Sequence, residues 1–206
     1  TQQSVFFNSG QVCSAGSRMY VQRKIYDDVI AAISSKTQAM KIGLSLDNST
    51  DMGPVISTSQ YANIIDYISI GQREGARLVS GGQKVGDDGF FIQPTVFADC
   101  NNTMRIVREE IFGPVLAIQP FDTEEEAMQL ANDNEYGLAA SVFSNDTSRA
   151  WRCVKQIKAG TVWINTHDMV DPCLPFGGFK NSGLGKDLGP EQLEQFLQTK
   201  TIWLEV

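Results

Sequence analysis

Cys13 stands in "FFNSGQVCSAGSR" among Gly10, Ser14, Ala15, Gly16 and Ser17, neighbours too small to crowd a sulfur. A nucleophilic thiol needs an open approach, a route to thiolate and donors for the oxyanion that its attack creates. Small residues give the approach, and the backbone N–H groups around Cys13 offer a donor. The competing reading is a packed, inert thiol at a strand start, the commoner fate of a free cysteine. Cys100, Cys153 and Cys173 carry only that second reading: Cys153 lies beside a helical apolar stripe, and Cys173 sits among Pro172, Leu174 and Pro175.

Two more segments hold chemistry-bearing residues. In "REEIFGPV", Glu109 and Glu110 precede an apolar run and the Gly113–Pro114 turn. Such carboxylates can do acid–base work or grip a hydroxylated ligand, or else form a solvated helix end. "PFGGFKNSGLGKDLG" invites a phosphate-loop reading, but Gly183, Gly185 and Gly189 miss the G-x-G-x-x-G spacing by one residue. G-x-x-x-x-G-K-[ST] is absent too, so no nucleotide fingerprint is present in the chain. His167 is the only histidine, which excludes a His-rich metal centre and any Ser–His or Cys–His pair not built on it; no metal is expected.

The elements that must position these residues alternate between strand-like and helix-like runs. "RMYV" reads as a strand, and "KIYDDVIAAISSKTQAM" as a helix with Ile25, Val29, Ile30 and Ile33 on one face. "STSQYANIIDYISIGQREG" repeats the pattern with Tyr61, Ile64, Ile65 and Ile68, and a Ser or Thr caps it. "ARLVSGG" is a strand ending in a glycine turn. "FFIQPTVF" is extended, and Pro94 makes it an edge or broken strand. "PVLAIQPF" and "GLAASVFS" read as buried strands around the helix "TEEEAMQLAND". "DTSRAWRCVKQIKAG" is a helix capped by Asp146 or Thr147, with Trp151, Val154 and Ile157 as its stripe and Gly160 as its end. After the strand "TVWIN" comes one long Gly/Pro-rich loop, then the helix "PEQLEQFLQT" and the terminal strand "TIWLEV". This alternation implies a three-layer α/β/α domain with a largely parallel sheet, and the long loop is its natural functional segment.

Composition narrows the setting. The 206 residues carry a net charge of −7, with 42% hydrophobic and 20% charged residues. An acidic chain of pI about 4.7 is a poor match for nucleic acid, which demands clustered Lys and Arg. No apolar run reaches membrane-spanning length, "TQQS" is not a signal peptide, and four scattered cysteines without a C-x-x-C pair suit a reducing, cytoplasmic setting. The missing initiator Met and the early position of the Cys13 segment read as a piece of a longer polypeptide.

Taken together, "FFNSGQVCSAGSR", "EEIFGPV" and "LPFGGFKNSGLGKDLG", in that order with "YGLAASVF" and "AGTVWIN" between the last two, resemble the NAD(P)-dependent aldehyde dehydrogenases. The resemblance runs from residue 5 to 206. It implies that Cys13 attacks the aldehyde carbon, that the thiohemiacetal gives a hydride to NAD or NADP, and that water hydrolyses the thioester to the acid. It also implies that Glu110 binds the nicotinamide ribose, that Phe112 packs by the nicotinamide end, and that the Cys13 N–H is half of an oxyanion hole. The general-base glutamate, the oxyanion asparagine and the main dinucleotide-binding domain precede the cysteine in this family. The chain would then be a thiol-bearing catalytic domain over residues 1–198, inactive alone, with 199–206 as a terminal oligomerisation strand of a homodimer or tetramer. Departures are few: Asp187 replaces a commoner Glu, and Val12 and Ser14 flank the thiol where some relatives have cysteines.

By the same resemblance, Val12, Ser14, Asp168, Val170 and Phe176 form the substrate mouth. Met169, Val170, Leu174 and Phe176 favour a hydrophobic aldehyde, while Asp168 and Asp171 disfavour an anionic one. "WINTHDMVDPCLPFGGFK" looks most like members that oxidise arylacetaldehydes such as phenylacetaldehyde. A betaine-type aldehyde dehydrogenase using Asp168 and an aromatic face is the rival. A coenzyme A-acylating relative and a non-catalytic paralogue remain open, although Cys13, Glu110 and Phe112 speak against the latter.

Overall fold

A computed structural model describes residues 2–206, with side chains placed from Ser4 onward. The elements run β1 (Arg18–Gln22), α1 (Tyr26–Gln38), α2 (Thr58–Arg73), β2 (Arg77–Ser80), β3 (Thr95–Ala98), α3 (Arg105–Arg108), β4 (Val115–Phe121) and α4 (Glu124–Asn132). They continue with β5 (Tyr136–Gly137), β6 (Ala139–Val142), α5 (Thr147–Gln156), β7 (Thr161–Ile164), β8 (Phe179–Lys180) and α6 (Glu191–Glu194). α2, α4 and α5 start where side chains satisfy their first amides: Ser57 accepts from Gln60, Thr123 from Glu126 and Asp146 from Arg149. Such a cap is worth about 1 kcal/mol.

The main sheet has the order β1-β4-β3-β2. β4 is parallel to both β1 and β3, with Arg18 opposite Ala117 and Thr95 opposite Val115, while β2 closes the edge antiparallel. The period-two alternation of strands sorts the core. Val96, Ala98, Leu116 and Ile118 face α1 through Ile30 and Ile33; Phe97, Val115 and Ala117 face Ile64 and Ile68 of α2 and Ile106 of α3. Helices therefore cover both faces, which is the expected three-layer arrangement with a largely parallel sheet. A second parallel pair, β6–β7, is joined through α5, and the short antiparallel pair β5–β8 reaches into the long loop. Among the described residues, no helix is long and apolar enough to cross a membrane, and no cluster of three or more His, Cys, Asp or Glu is arranged to hold a metal.

Several local expectations change. Arg23–Ile25 forms a 3-10 turn, so α1 starts at Tyr26, which takes the buried place expected of Ile25. The Tyr26 hydroxyl donates to the Ile118 carbonyl at 3.3 Å and accepts from the Asp99 amide at 2.7 Å, a bond pair that Ile25 lacks. β3 is an inner strand, because Pro94 falls just before it and its missing N–H costs the ladder nothing. β6 is half-buried rather than buried. α5 buries Ala150 and Cys153 and leaves Trp151 exposed, ending at Gln156 and not at Gly160. Small side chains let this helix pack close to β6 and β7, and a tryptophan would hold it off. The last helix shrinks to one turn, and 199–206 forms no strand: Leu193, Phe196, Ile202, Trp203 and Leu204 are all exposed, with no apolar surface against them.

Candidate active site

The thiol loop is built from backbone that only small or flexible residues tolerate. Asn8, Ser9 and Gly10 take φ of 49°, 58° and 72° in succession, and Ser9 Oγ anchors the turn by donating to the Gly53 carbonyl at 2.8 Å. Gln11 Oε1 accepts from the Ile56 amide at 2.9 Å, just before the α2 cap. A turn then closes with the Ala15 amide on the Val12 carbonyl at 3.0 Å, placing Cys13 and Ser14 at its tip. Cys13 is exposed, and among the described residues no acceptor takes its N–H. Cys100 and Cys153 are buried, burial pushing the Cys100 thiol up to about 12 and raising that of Cys153 as well. Cys173, expected to be packed, is exposed because its proline-flanked turn rides on the surface.

The Glu109–Pro114 segment lies directly against this loop. A Cβ on Gly10 would sit 2.1 Å from the Gly113 carbonyl oxygen and 2.8 Å from Pro114 N, so the two backbones touch. On the other side, Gln60 of α2 donates to the Ile111 carbonyl at 3.0 Å and the Phe112 carbonyl at 2.8 Å. Phe112 adopts φ 54° and stays 40% exposed, a strained setting for an aromatic residue that its surroundings must impose. The adjacent carboxylates separate: Glu109 is bonded to Arg105 and Tyr67, whereas Glu110 is exposed and has no side-chain partner among the described residues. A free carboxylate and a bared aromatic ring on one segment can accept from a hydroxylated ligand and pack against a flat one.

The long loop folds back over the thiol turn. His167 Nε2 donates to the Ser14 carbonyl at 3.0 Å, which leaves Nδ1 as acceptor for Ser141 Oγ at 2.6 Å. Burial lowers the His167 pKa, while the Ser14 carbonyl and Asp168 oppose the shift. Trp163 packs on the imidazole and donates to the Met169 carbonyl at 2.8 Å. Asp168, at φ 60°, accepts from Ser14 Oγ at 2.5 Å. Farther on, the glycine-rich stretch is held by paired bonds between Phe176 and Asp187 and by Lys186 Nζ donating to the Gly177 carbonyl at 2.8 Å. A cavity of about 280 Å³ lies here, walled by Cys13, Leu138, Phe176, Gly178 and Lys186.

Of the expected mouth residues, only Phe176 shares this cavity with Cys13. Ser14 is buried instead of facing a substrate, because its hydroxyl is spent on Asp168. Val12 is half-buried beside the thiol, and Val170 points to solvent. The sequence reading missed Gln60, Ser141 and Lys186, and it used Gly10 only as part of the small-residue ring around Cys13. His167 it used only to exclude chemistry.

Residues 1–202 match the aldehyde dehydrogenase family. The chain is 46% identical over 198 residues to an aldehyde dehydrogenase of Emericella nidulans, covering 96% of this chain and 40% of that protein. A betaine aldehyde dehydrogenase of Sinorhizobium fredii is 46% identical over 202 residues, covering 97% and 42%. The crystal structure of betaine aldehyde dehydrogenase from Staphylococcus aureus in complex with NAD+ superposes with a TM-score of 0.95 at 45% identity, over 97% of this chain and 40% of that one. The chain thus spans about two fifths of the length of these relatives, with an exposed cysteine at the tip of its thiol turn, and it belongs to the aldehyde dehydrogenase family.

Proposed function

We propose that the full-length polypeptide oxidises an aldehyde to a carboxylic acid, with Cys13 as nucleophile and NAD or NADP as hydride acceptor. The observation that carries this is the exposed Cys13 at a turn tip, beside a segment that leaves Glu110 and Phe112 free. Cys13 Sγ adds to the carbonyl carbon, and the oxygen gathers negative charge within reach of the unclaimed Cys13 N–H. Loss of hydride from that carbon leaves a thioester on Cys13, which water cleaves to the acid and the free thiol. The bound dinucleotide supplies the hydride acceptor. Glu110 accepts hydrogen bonds from the ribose hydroxyls, and Phe112 offers a flat wall beside the nicotinamide. His167 turns its ring nitrogens to Ser141 and the Ser14 carbonyl; the general-base role is assigned to a glutamate outside this chain, as the family resemblance implies.

The substrate is a non-anionic aldehyde. Exposed Met169, Val170 and Leu174 together with Phe176 support a hydrophobic, arylacetaldehyde-type substrate. A betaine-type aldehyde is the second reading, favoured by Asp168 fixed beside the thiol turn and by the betaine aldehyde dehydrogenases among the relatives. The exposed run 199–206 suits a strand that pairs with another subunit of a homodimer or tetramer. The test is steady-state kinetics of the full-length enzyme on phenylacetaldehyde, betaine aldehyde and succinic semialdehyde, with NAD+ and with coenzyme A added. The expected order of kcat/KM places phenylacetaldehyde first and succinic semialdehyde last, with free acid as product. A preference for the anionic aldehyde overturns the substrate reading, an acyl-coenzyme A product overturns the hydrolytic one, and turnover by Cys13→Ser at the parental rate overturns the nucleophile.

A further inference from the structure

Glu109 and Glu110 are neighbours with opposite surroundings. The Arg105 guanidinium donates to both Glu109 oxygens, Nε to Oε1 at 2.8 Å and Nη2 to Oε2 at 2.8 Å. From α2, the Tyr67 hydroxyl donates to Oε2 at 2.7 Å, and Arg105 lies over the Tyr67 ring 5.5 Å from its centre. Arg105, and after it Tyr67, hold the Glu109 carboxyl below the usual carboxylate range. The Arg105 amide is itself bound to Glu74 Oε2 at 2.9 Å, so the group is tied into two helices. An exposed i,i+4 ion pair alone contributes little, but a bidentate pair with a third donor from another helix fixes a side chain in place.

Glu109 is also where the chain leaves α3, its backbone turning to φ −100° and ψ 152°. Two residues on, the Ile111 carbonyl is gripped by Gln60. Consecutive Cα atoms are about 3.8 Å apart, so anchors on both sides leave Glu110 almost no backbone freedom. Its carboxylate nonetheless keeps every acceptor site open. We infer that Glu109 is a positioning residue for Glu110: held by Tyr67 and Arg105, it presets the backbone from which Glu110 meets the cofactor. This rests on the reading of Glu110 as the ribose acceptor. Preset geometry spares the ordering cost at the moment of binding, so the contribution should emerge in cofactor affinity and not in thiol chemistry.

The test uses the full-length enzyme with Glu109→Gln, Tyr67→Phe, Glu110→Gln and the double variant Glu109→Gln/Glu110→Gln. The readouts are KM for NAD+, KM for aldehyde, hydride transfer, and cofactor-independent acylation of Cys13 by p-nitrophenyl acetate, which also reports a folded site. Glu109→Gln and Tyr67→Phe should each raise KM for NAD+ about fivefold, the scale of one hydrogen bond, with the aldehyde KM and ester acylation near the parental values. In the Glu110→Gln background, Glu109→Gln should add nothing, since its effect passes through Glu110. An equal effect in both backgrounds, or no effect of either single variant on KM for NAD+, overturns the inference while the ribose reading stands. Should Glu110→Gln itself leave cofactor KM and hydride transfer unchanged, the ribose reading falls and takes this inference with it. If Glu109→Gln does not fold, Tyr67→Phe, which removes one hydroxyl, decides the matter through the same readouts.

Discussion

Replacing Gly10 with alanine would put a methyl group where the opposite loop already stands. The added Cβ would lie 2.1 Å from the Gly113 oxygen, 2.3 Å from the Gly113 carbonyl carbon and 2.8 Å from Pro114 N. Gly10 also holds φ +72°, a region that costs an L-residue about 1–2 kcal/mol. Non-bonded carbon contacts relax only near about 3.5 Å, so the loops must part by more than about 1 Å. Neither yields freely, because Ser9 and Gln11 tie one to Gly53 and Ile56 while Gln60 ties the other to α2. Overpacking of this kind costs about 1–3 kcal/mol of stability. The kinetic effect should be larger, since a misplacement of about 1 Å between reacting groups costs about 100-fold in rate. Stopped-flow measurement of NADH formation in the full-length enzyme should show hydride transfer slowed by that order. Acylation of Cys13 by p-nitrophenyl acetate, which needs no cofactor, should stay near the parental rate. Parental hydride transfer in Gly10→Ala would refute the idea that this contact sets the distance from thiol to cofactor segment. An equal loss in both assays would refute it too, by placing the damage at the thiol itself.

Glu110→Gln should slow hydride transfer by roughly ten- to a hundred-fold, the scale of a charged hydrogen bond of about 1.5–3 kcal/mol, and intact hydride transfer with lost thioester hydrolysis would make Glu110 the base instead. His167 is held below the ordinary imidazole value of 6.5, so the unfolded chain takes up a proton before the folded one. Its stabilising contribution is therefore complete above about pH 6.5 and is lost as pH falls from there through the folded-state value. Calorimetry should show Tm dropping as pH falls below about 6.5, and His167→Asn should flatten that stretch; an equal slope in the variant contradicts the assignment. Limited alkylation should label Cys13 and Cys173 in the folded protein and Cys100 and Cys153 only after unfolding, which peptide mapping reads directly. Deleting residues 199–206 from the full-length enzyme should shift sedimentation to a smaller species, and an unchanged oligomer removes the interface reading.

What was legible in the sequence tracks what is local. Ser57 and Asp146 cap their helices within three residues, and the period-two runs in β3 and β4 sort themselves between the sheet's faces. Cys13, Glu110 and Phe112 stood out because motifs are contiguous. Tertiary context overrode pattern where neighbours decided: Tyr26 displaced Ile25 from the core because a hydroxyl had partners waiting at Asp99 and Ile118. At α5 a large Trp151 lost the buried face to Ala150 and Cys153, since close approach to a strand pair rewards small side chains.

The assembly of the site was not legible, for a physical reason. The bonds that bring its parts together join Gln11 to Ile56, Gln60 to Phe112, Ser14 to Asp168 and His167 to Ser141, pairs separated by 26 to 154 residues. Polar pairs of this kind have no periodicity; each end looks like an ordinary surface glutamine, serine or aspartate until the fold makes them meet. Their convergence explains why the thiol can sit exposed without being loose. Cys13 projects from a turn whose next residue is held twice, through the Ser14 hydroxyl to Asp168 and through its carbonyl to His167, while the residue two before it is bound to Ile56, just before the α2 cap. The proposed reaction needs a thiol open to its substrate yet fixed relative to the hydride acceptor, and rigid backbone on both sides of a bare side chain suits both demands. The only histidine of the sequence thus bears on the thiol by structure, its imidazole holding the turn through Ser14 and bracing against Ser141.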